Sequence, residues 1–210
     1  MNKSPTHQIN LLSREDAIQV LAPYLEEIQE VHYWAMHKLL AAIQPDIELG
    51  LALQPSAKAS MLNDLIWHRA QERFLGDPSL RFLVVSKPGS RGFKALYIHD
   101  KLLVRFKKLD EGGRAKNYRT PHQEEYDSQL PMDEVPQATR IVVGYVLDEF
   151  HTGFAKIQIT CPLNDGFLWQ EVVSEGSAEQ TNIEFSPVPE VEEPIVKVKK
   201  PAQPLLAREQ

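Results

Sequence analysis

The residues best suited to chemistry in this sequence lie in one stretch. Between Lys87 and Arg119 stand ten basic residues, opposed only by Asp100, Asp110 and Glu111. Arg105, Lys107 and Lys108 share one short apolar run, and Arg114, Lys116 and Arg119 follow a Gly112-Gly113 pair. Cations beside glycines suit phosphate: glycine lets backbone amides approach an anion, and the cations neutralise it. Tyr97 and Tyr118 offer rings on which bases stack. Arg105, Lys107, Lys108, Arg114, Lys116 and Arg119 are therefore candidate residues for binding an anion or nucleic acid. The competing reading is a solvated sheet face that offsets the acidic segment Glu124–Glu134 or the acidic C-terminal tail.

Arg105 and Lys107 are a separate question. At a spacing of two they point to the same side of a strand as Leu103, so both are expected to be partly buried. A buried charge needs a partner. Either the pair binds an anion, or it is neutralised inside the protein by Asp64, Asp100 or Asp148.

Other chemistries find less support. The single cysteine, Cys161, precedes Pro162 at a strand end and reads as a buried structural thiol. His32 and His37 fall on different helical faces, and no His-Glu-x-x-His pair exists. His99 and His151 sit in turns, and His68 sits on a helix surface. The chain lacks Gly-x-Gly-x-x-Gly, P-loop and Gly-x-Ser-x-Gly patterns. No cofactor and no metal are expected. The order of elements invites comparison with metal-dependent nucleases of the PD-(D/E)xK type, but the matching triplet is Arg105-Phe106-Lys107. A cation replaces the metal-binding carboxylate, which argues against that chemistry.

The elements that must position these residues can be read from periodicity. Ser13 caps a helix whose first turn carries Glu15 and Asp16. Apolar residues from Ile18 to Ile43 recur at spacings of three and four, ending before Pro45. Pro23 either kinks this helix or opens a second one. A further helix begins at Pro55-Ser56, with Ser56 as cap and Ala59, Leu62, Ile66, Ala70 and Phe74 as its apolar stripe. Gly76-Asp77-Pro78 stops it. Strands are expected at Arg81–Val85, Phe93–Ile98, Leu102–Leu109, Ile141–Leu147 and Ala155–Cys161. His99-Asp100-Lys101 joins two of them in a hairpin. A short helix over Pro121–Leu130 has Thr120 as cap. The strand Ile141–Leu147 is apolar on both faces and belongs in the middle of the sheet. Lys156, Gln158 and Thr160 give the last strand one wet face.

This pattern predicts an α+β fold, with N-terminal helices packed on a mostly antiparallel five-stranded sheet. The domain is expected over 13–172, after a flexible N-terminus at 1–12. Residues 173–210 are rich in Glu, Pro, Ser and Lys and are expected to be a disordered tail. Within that tail, Ile195–Lys199 alternates and could add a strand to a partner.

With 210 residues, 42% of them hydrophobic and 25% charged, the chain has material for one ordinary core. Its net charge of −6 counts against a general coater of duplex DNA. One cysteine, no apolar leader and no long apolar run predict a reducing, cytoplasmic setting without a membrane.

Three segments resemble a family of bacterial proteins. They are Ser56–Asp64; Leu102-Leu103-Val104-Arg105-Phe106-Lys107-Lys108-Leu109-Asp110 with Asn117, Thr120 and Gln129-Leu130-Pro131; and Gly144-Tyr145-Val146-Leu147-Asp148 with Ile159–Pro162 and Trp169. Such proteins are found beside a helix-turn-helix repressor and an ImmA/IrrE-type metallopeptidase-like protein. The resemblance implies a component of a two-protein regulatory, toxin–antitoxin or phage-defence module, with a protein of that type as its partner. It supplies no catalytic residues. Gln54, Ala57 and Lys58 depart from the arginines expected at the start of the second helical region.

Overall fold

A computed structural model describes residues 11–85, 93–116 and 120–175. Lys87, Arg91, Asn117, Tyr118, Arg119, residues 1–10 and the tail from 176 onward lie outside the described residues.

Helix α1 spans Arg14–Leu21, and the Ser13 hydroxyl accepts from the Asp16 amide at 3.1 Å, as a cap should. Pro23 lies in a 3-10 turn, Ala22–Tyr24, and α2 starts anew as Leu25–Ile43. The proline lacks an N–H and its ring blocks a continuous helical ladder, so it opens a second helix. A short α3, Ile47–Ala52, is capped by Asp46 and falls in a stretch the periodicity leaves blank. Helix α4 spans Pro55–Phe74. Its cap is Gln54 rather than Ser56, because Pro55 already occupies the first turn. Leu62, Ile66, Ala70 and Phe74 form its buried stripe. Among the described residues no helix is long and apolar enough to cross a membrane.

The six strands are β1 Leu80–Val85, β2 Phe93–Ile98, β3 Leu102–Lys108, β4 Thr139–Leu147, β5 Phe154–Leu163 and β6 Gly166–Glu175. They lie side by side in that order. Two expectations are corrected. The sheet has six strands rather than five, because the chain reverses at Asn164-Asp165 and adds β6 against β5, with Leu163 facing Gly166. Asn164 takes a positive φ of 55°, as a tight hairpin turn demands. The sheet is also mixed rather than mostly antiparallel, since β3 and β4 run parallel, with Arg105 opposite Val142 and Lys107 opposite Gly144. Parallel neighbours need a crossover, and residues 109–138, which carry helix α5 at Pro121–Asp127, supply it. Strand β6 continues to Glu175, past the expected start of the tail.

The crossover puts a layer on each face of the sheet. On one face Leu102, Val104, Phe106, Ile141, Val143, Tyr145, Ile157 and Ile159 pack against α1, α2 and α4. On the other, Ala95, Tyr97, Leu103, Val142 and Val146 pack under Leu109, Tyr126, Met132 and Val135. Strand β4 is buried along nearly its whole length, as its apolar run predicts. The expected wet face of β5 is wet only at Lys156. Gln158 is 2% exposed and Thr160 1%, because the loop at Gly113 rests on them.

His32 lies in the helical face. Its Nδ1–H donates to the Ile28 carbonyl at 2.7 Å, and its ring meets Phe106 and Phe154 edge-on. Burial pushes its imidazole down to about 4.

Candidate anion-binding site

Strand β3 and the loop that follows it build the site. Alternation along β3 sends Leu103, Arg105 and Lys107 to the face opposite α4, and α5 closes over them. Helix α5 is started by the Thr120 hydroxyl, which accepts from the Gln123 amide, and by Pro121 in its first turn. The Tyr126 hydroxyl pins the helix down. It reaches the carbonyls of Leu103 at 2.7 Å and Ile141 at 2.6 Å, one on each strand of the parallel pair. Burial pushes that phenol well above its ordinary range, so it stays a donor.

Pinning Tyr126 fixes what surrounds Arg105. The guanidinium lies 4.9 Å from the Phe93 ring centre and 5.2 Å from that of Tyr126. Its Nη1–H donates to Gln123 Oε1 at 2.8 Å, and Gln123 Nε2–H donates to Asp127 Oδ1 at 2.7 Å. The amide thus stands between the cation and the carboxylate. It orients the guanidinium and passes on part of the charge without forming an ion pair. Arg105 Nε is buried with no hydrogen-bond partner among the described residues. Burial lowers the pKa of Arg105, opposed by Tyr126 and Asp127. The Lys107 amine is pushed down to about 8, first by burial and then by Arg105, with Asp127 opposing.

The internal partner expected for this pair is not among Asp64, Asp100 and Asp148. Asp64 lies 4.0 Å from Lys94, Asp100 pairs with Arg81, and Asp148 accepts from Thr152 in a turn. The carboxylate that acts on Arg105 and Lys107 is Asp127 of α5. Its one-turn spacing from Gln123 put both side chains on one helix face, a signal present in the sequence.

Beyond β3 the chain turns back at Gly113, whose φ is +87°. A side chain there would collide with Gln158 and come within 3.2 Å of Gln170 Nε2. The loop is tied to itself. Asp110 Oδ1 accepts from the Arg114 amide at 2.8 Å, and the Asp110 amide donates to the Arg114 carbonyl at 2.9 Å. Arg114 Nη2 donates to the Asp165 carbonyl in the β5–β6 turn. The Lys116 amide donates to the Lys108 carbonyl at 2.9 Å, which sets two cations side by side. Lys108 is pushed down by burial and then by Lys116.

Two cavities flank this loop. The first, about 350 Å³, is bounded by Asp110 and Gly113–Lys116, by Gln123 and Asp127 of α5, and by Thr160, Pro162 and Asn164–Phe167 of the β5–β6 hairpin. The second, about 940 Å³, lies where β3 and β4 end, with Lys108, Lys116, Asp148, His151 and Lys156 in its wall. Lys116 borders both.

Of the six predicted binding residues, Arg114 and Lys116 line the first cavity, Lys108 and Lys116 line the second, and Arg105 and Lys107 lie beneath α5. Arg119 lies outside the described residues. Lys94 and Lys101 are not gathered in. Lys94 stands near Asp64 of α4, and Lys101 sits at the exposed β2–β3 tip. Gln123, Asp127, Thr160, Asn164 and Phe167 were not legible as site residues, because a crossover and a sixth strand bring them there.

Among the described residues no group of three His, Cys, Asp or Glu side chains is placed to hold a metal. Cys161 is sealed near the Arg140 carbonyl and Gln129, and burial pushes its thiol up to about 12. No protein-family model, curated protein or solved structure matches this chain.

Proposed function

We propose that this protein recognises a phosphate-bearing ligand, a nucleotide or a nucleic-acid strand, through β3 and its return loop. One observation carries the reading. Arg105, Lys107, Lys108 and Lys116 have no carboxylate within ion-pair distance among the described residues. Arg69, Arg73, Arg81 and Lys94 all have one. Four cations along one strand and its loop, none in a direct ion pair among the described residues, repel each other, and an anionic ligand removes that repulsion.

The test is equilibrium binding of the full chain to ribonucleotides and to a fluorescent single-stranded RNA oligomer at increasing salt. Binding should be present at low salt. For the oligomer it should fall with a log–log slope of about −0.7 for each phosphate contact. The Arg105→Gln and Lys107→Gln exchanges should remove it from protein that is still folded by circular dichroism. No binding to any of these probes at low salt sinks the reading.

A second reading concerns the cellular setting: a component of a bacterial two-protein regulatory, toxin–antitoxin or phage-defence module, with a helix-turn-helix, ImmA/IrrE-type partner. What supports it is that the resembling segments Leu102–Asp110, Gly144–Asp148 and Ile159–Pro162 are the strands beneath the site. Induced expression of the chain alone, followed by co-purification with such a partner, tests it. Normal growth together with no complex removes it.

A further inference from the structure

We propose that Lys107 is a modification site, a nucleophilic amine that takes the acyl group of a small acyl phosphate. The inference rests on the anion reading above and goes one step beyond it, from holding a phosphate to reacting with the group that phosphate carries.

The surroundings of Lys107 leave its amine free to react. Across the parallel pair it stands opposite Gly144, and the Leu109 side chain fills the space that a side chain at Gly144 would take. Strand β4 therefore brings no charge to it. The charges that act on it are Arg105 on its own strand and Asp127 on α5, and Asp127 opposes the larger effects of burial and Arg105. Lys107 makes no hydrogen bond or ion pair among the described residues, whereas Lys94 lies 4.0 Å from Asp64 and Lys156 donates to the Glu111 carbonyl at 3.0 Å. It is half-buried, and its Nζ is not sealed off as Arg105 Nε is.

A half-buried amine beside a guanidinium favours its neutral form, which is the form that attacks a carbonyl. With the amine at about 8, about a tenth of it is neutral at pH 7, against about one part in three thousand for an ordinary lysine. In the reaction the Nζ lone pair adds to the acyl carbon. The bond from that carbon to the phosphate oxygen breaks, phosphate leaves with the electron pair, and the proton on nitrogen passes to solvent. The amide formed is neutral, so Arg105 no longer faces a second cation. A phosphate-bearing donor is favoured over an uncharged one because Arg105 attracts it while donating only one N–H to Gln123. Neither of the two cavities has Lys107 in its wall, which restricts the donor to a small one, such as acetyl phosphate.

Site-resolved mass spectrometry of the full chain treated with acetyl phosphate decides it. Lys107 should be acetylated about tenfold or more faster than the exposed Lys38 and Lys101. Its rate should level off once the pH passes about 8. The uncharged N-hydroxysuccinimide ester of acetic acid should show a smaller preference for Lys107. Protein acetylated at Lys107 should bind the RNA oligomer about tenfold more weakly. Equal rates at the three lysines overturn the inference, and salt-sensitive oligomer binding in that same protein leaves the anion reading standing. A preference no larger with acetyl phosphate than with the ester also overturns it, because the phosphate then plays no part. Preferential acetylation by acetyl phosphate in a chain that binds neither ribonucleotide nor oligomer upholds this inference and confines the anion reading to small phosphates.

Discussion

The two faces of the sheet handle charge in opposite ways. On the helical side the arginines of α4 are laid against acids of α2. Arg69 meets Glu30 at 3.1 Å and Arg73 meets Glu27 at 2.7 Å, on the half-exposed rim of an apolar layer. On the α5 side Arg105 is drawn toward the interior and bonded to an amide, and Arg140 is buried and bonded to the Glu125 carbonyl, neither to a carboxylate. A buried cation without a direct ion pair is costly, and the contacts of Arg105 with Phe93, Tyr126 and Gln123 offset part of that cost. On the proposed reading, the helical face holds the fold together and the α5 face holds charge in reserve for a ligand.

The largest expected effect belongs to the helical face. Trp67 packs edge-on against Phe106, with ring centres 4.9 Å apart. Trp67→Ala leaves a cavity there and should cost about 4 kcal/mol in urea unfolding. Anion binding by the protein that remains folded should not change. A variant that loses binding while still folded would break the division between the faces.

His32 gives the next effect, again without touching the ligand. Its folded pKa of about 4 lies below the ordinary 6.5. Above pH 6.5 it is neutral in both states and contributes no pH dependence. As pH falls from 6.5 toward 4 the unfolded chain takes up a proton that the folded one refuses, so stability falls. The slope is about 1.4 kcal/mol per pH unit, and the total is about 3 kcal/mol. His32→Leu should remove that slope over this window, read from urea midpoints at a series of pH values. An unchanged slope would place the acid sensitivity elsewhere.

How much of this was legible follows from range. The capping of α1 by Ser13, the stripe of α4, the β2–β3 hairpin and the doubly covered β4 depend on neighbours in sequence, and their signals are local. The shared side of Arg105 and Lys107 is local too, since a strand alternates whatever it packs on. Their partner is not local. Asp127 reaches them only because residues 109–138 cross the sheet and let β4 join β3 in parallel. The polar residues of β5 misled for the same reason. Gln158 and Thr160 look like solvent-facing positions until the Gly113 loop is placed over them. The sixth strand did leave a trace, in Asn164-Asp165-Gly166 after an alternating run, but Glu171, Ser174 and Glu175 beside it resemble the start of the tail.

A smaller change sharpens the comparison from the other side. Tyr126→Phe removes the one hydroxyl that ties α5 to both strands of the parallel pair, leaving the Leu103 and Ile141 carbonyls without it. The expected loss is about 2 kcal/mol. Because α5 also carries Gln123 and Asp127, anion binding should weaken together with stability. Weaker stability with unchanged binding would mean that the position of α5 does not matter to the site.

The smallest effect is the most diagnostic, because its sign is opposite. Lys107 is half-buried, beside Arg105, with its amine at about 8 instead of 10.5. Below pH 8 it is charged in both states, and the folded protein carries the full cost of holding it. Between pH 8 and 10.5 the folded chain releases the proton before the unfolded one does. The unfolded state then binds more protons, so stability rises with pH across this window. Lys107→Met keeps the length of the side chain and discards the charge. At neutral pH it should stabilise the protein by about 1 kcal/mol, and it should flatten the rise above pH 8. The same exchange should weaken phosphate-ligand binding. A residue kept for structure would lose stability on this exchange, whereas a cation held against its own fold loses only the ligand. If Lys107→Met unfolds more readily and the ligand still binds, Lys107 is a structural residue and the charge reserve shrinks to Arg105 and the loop.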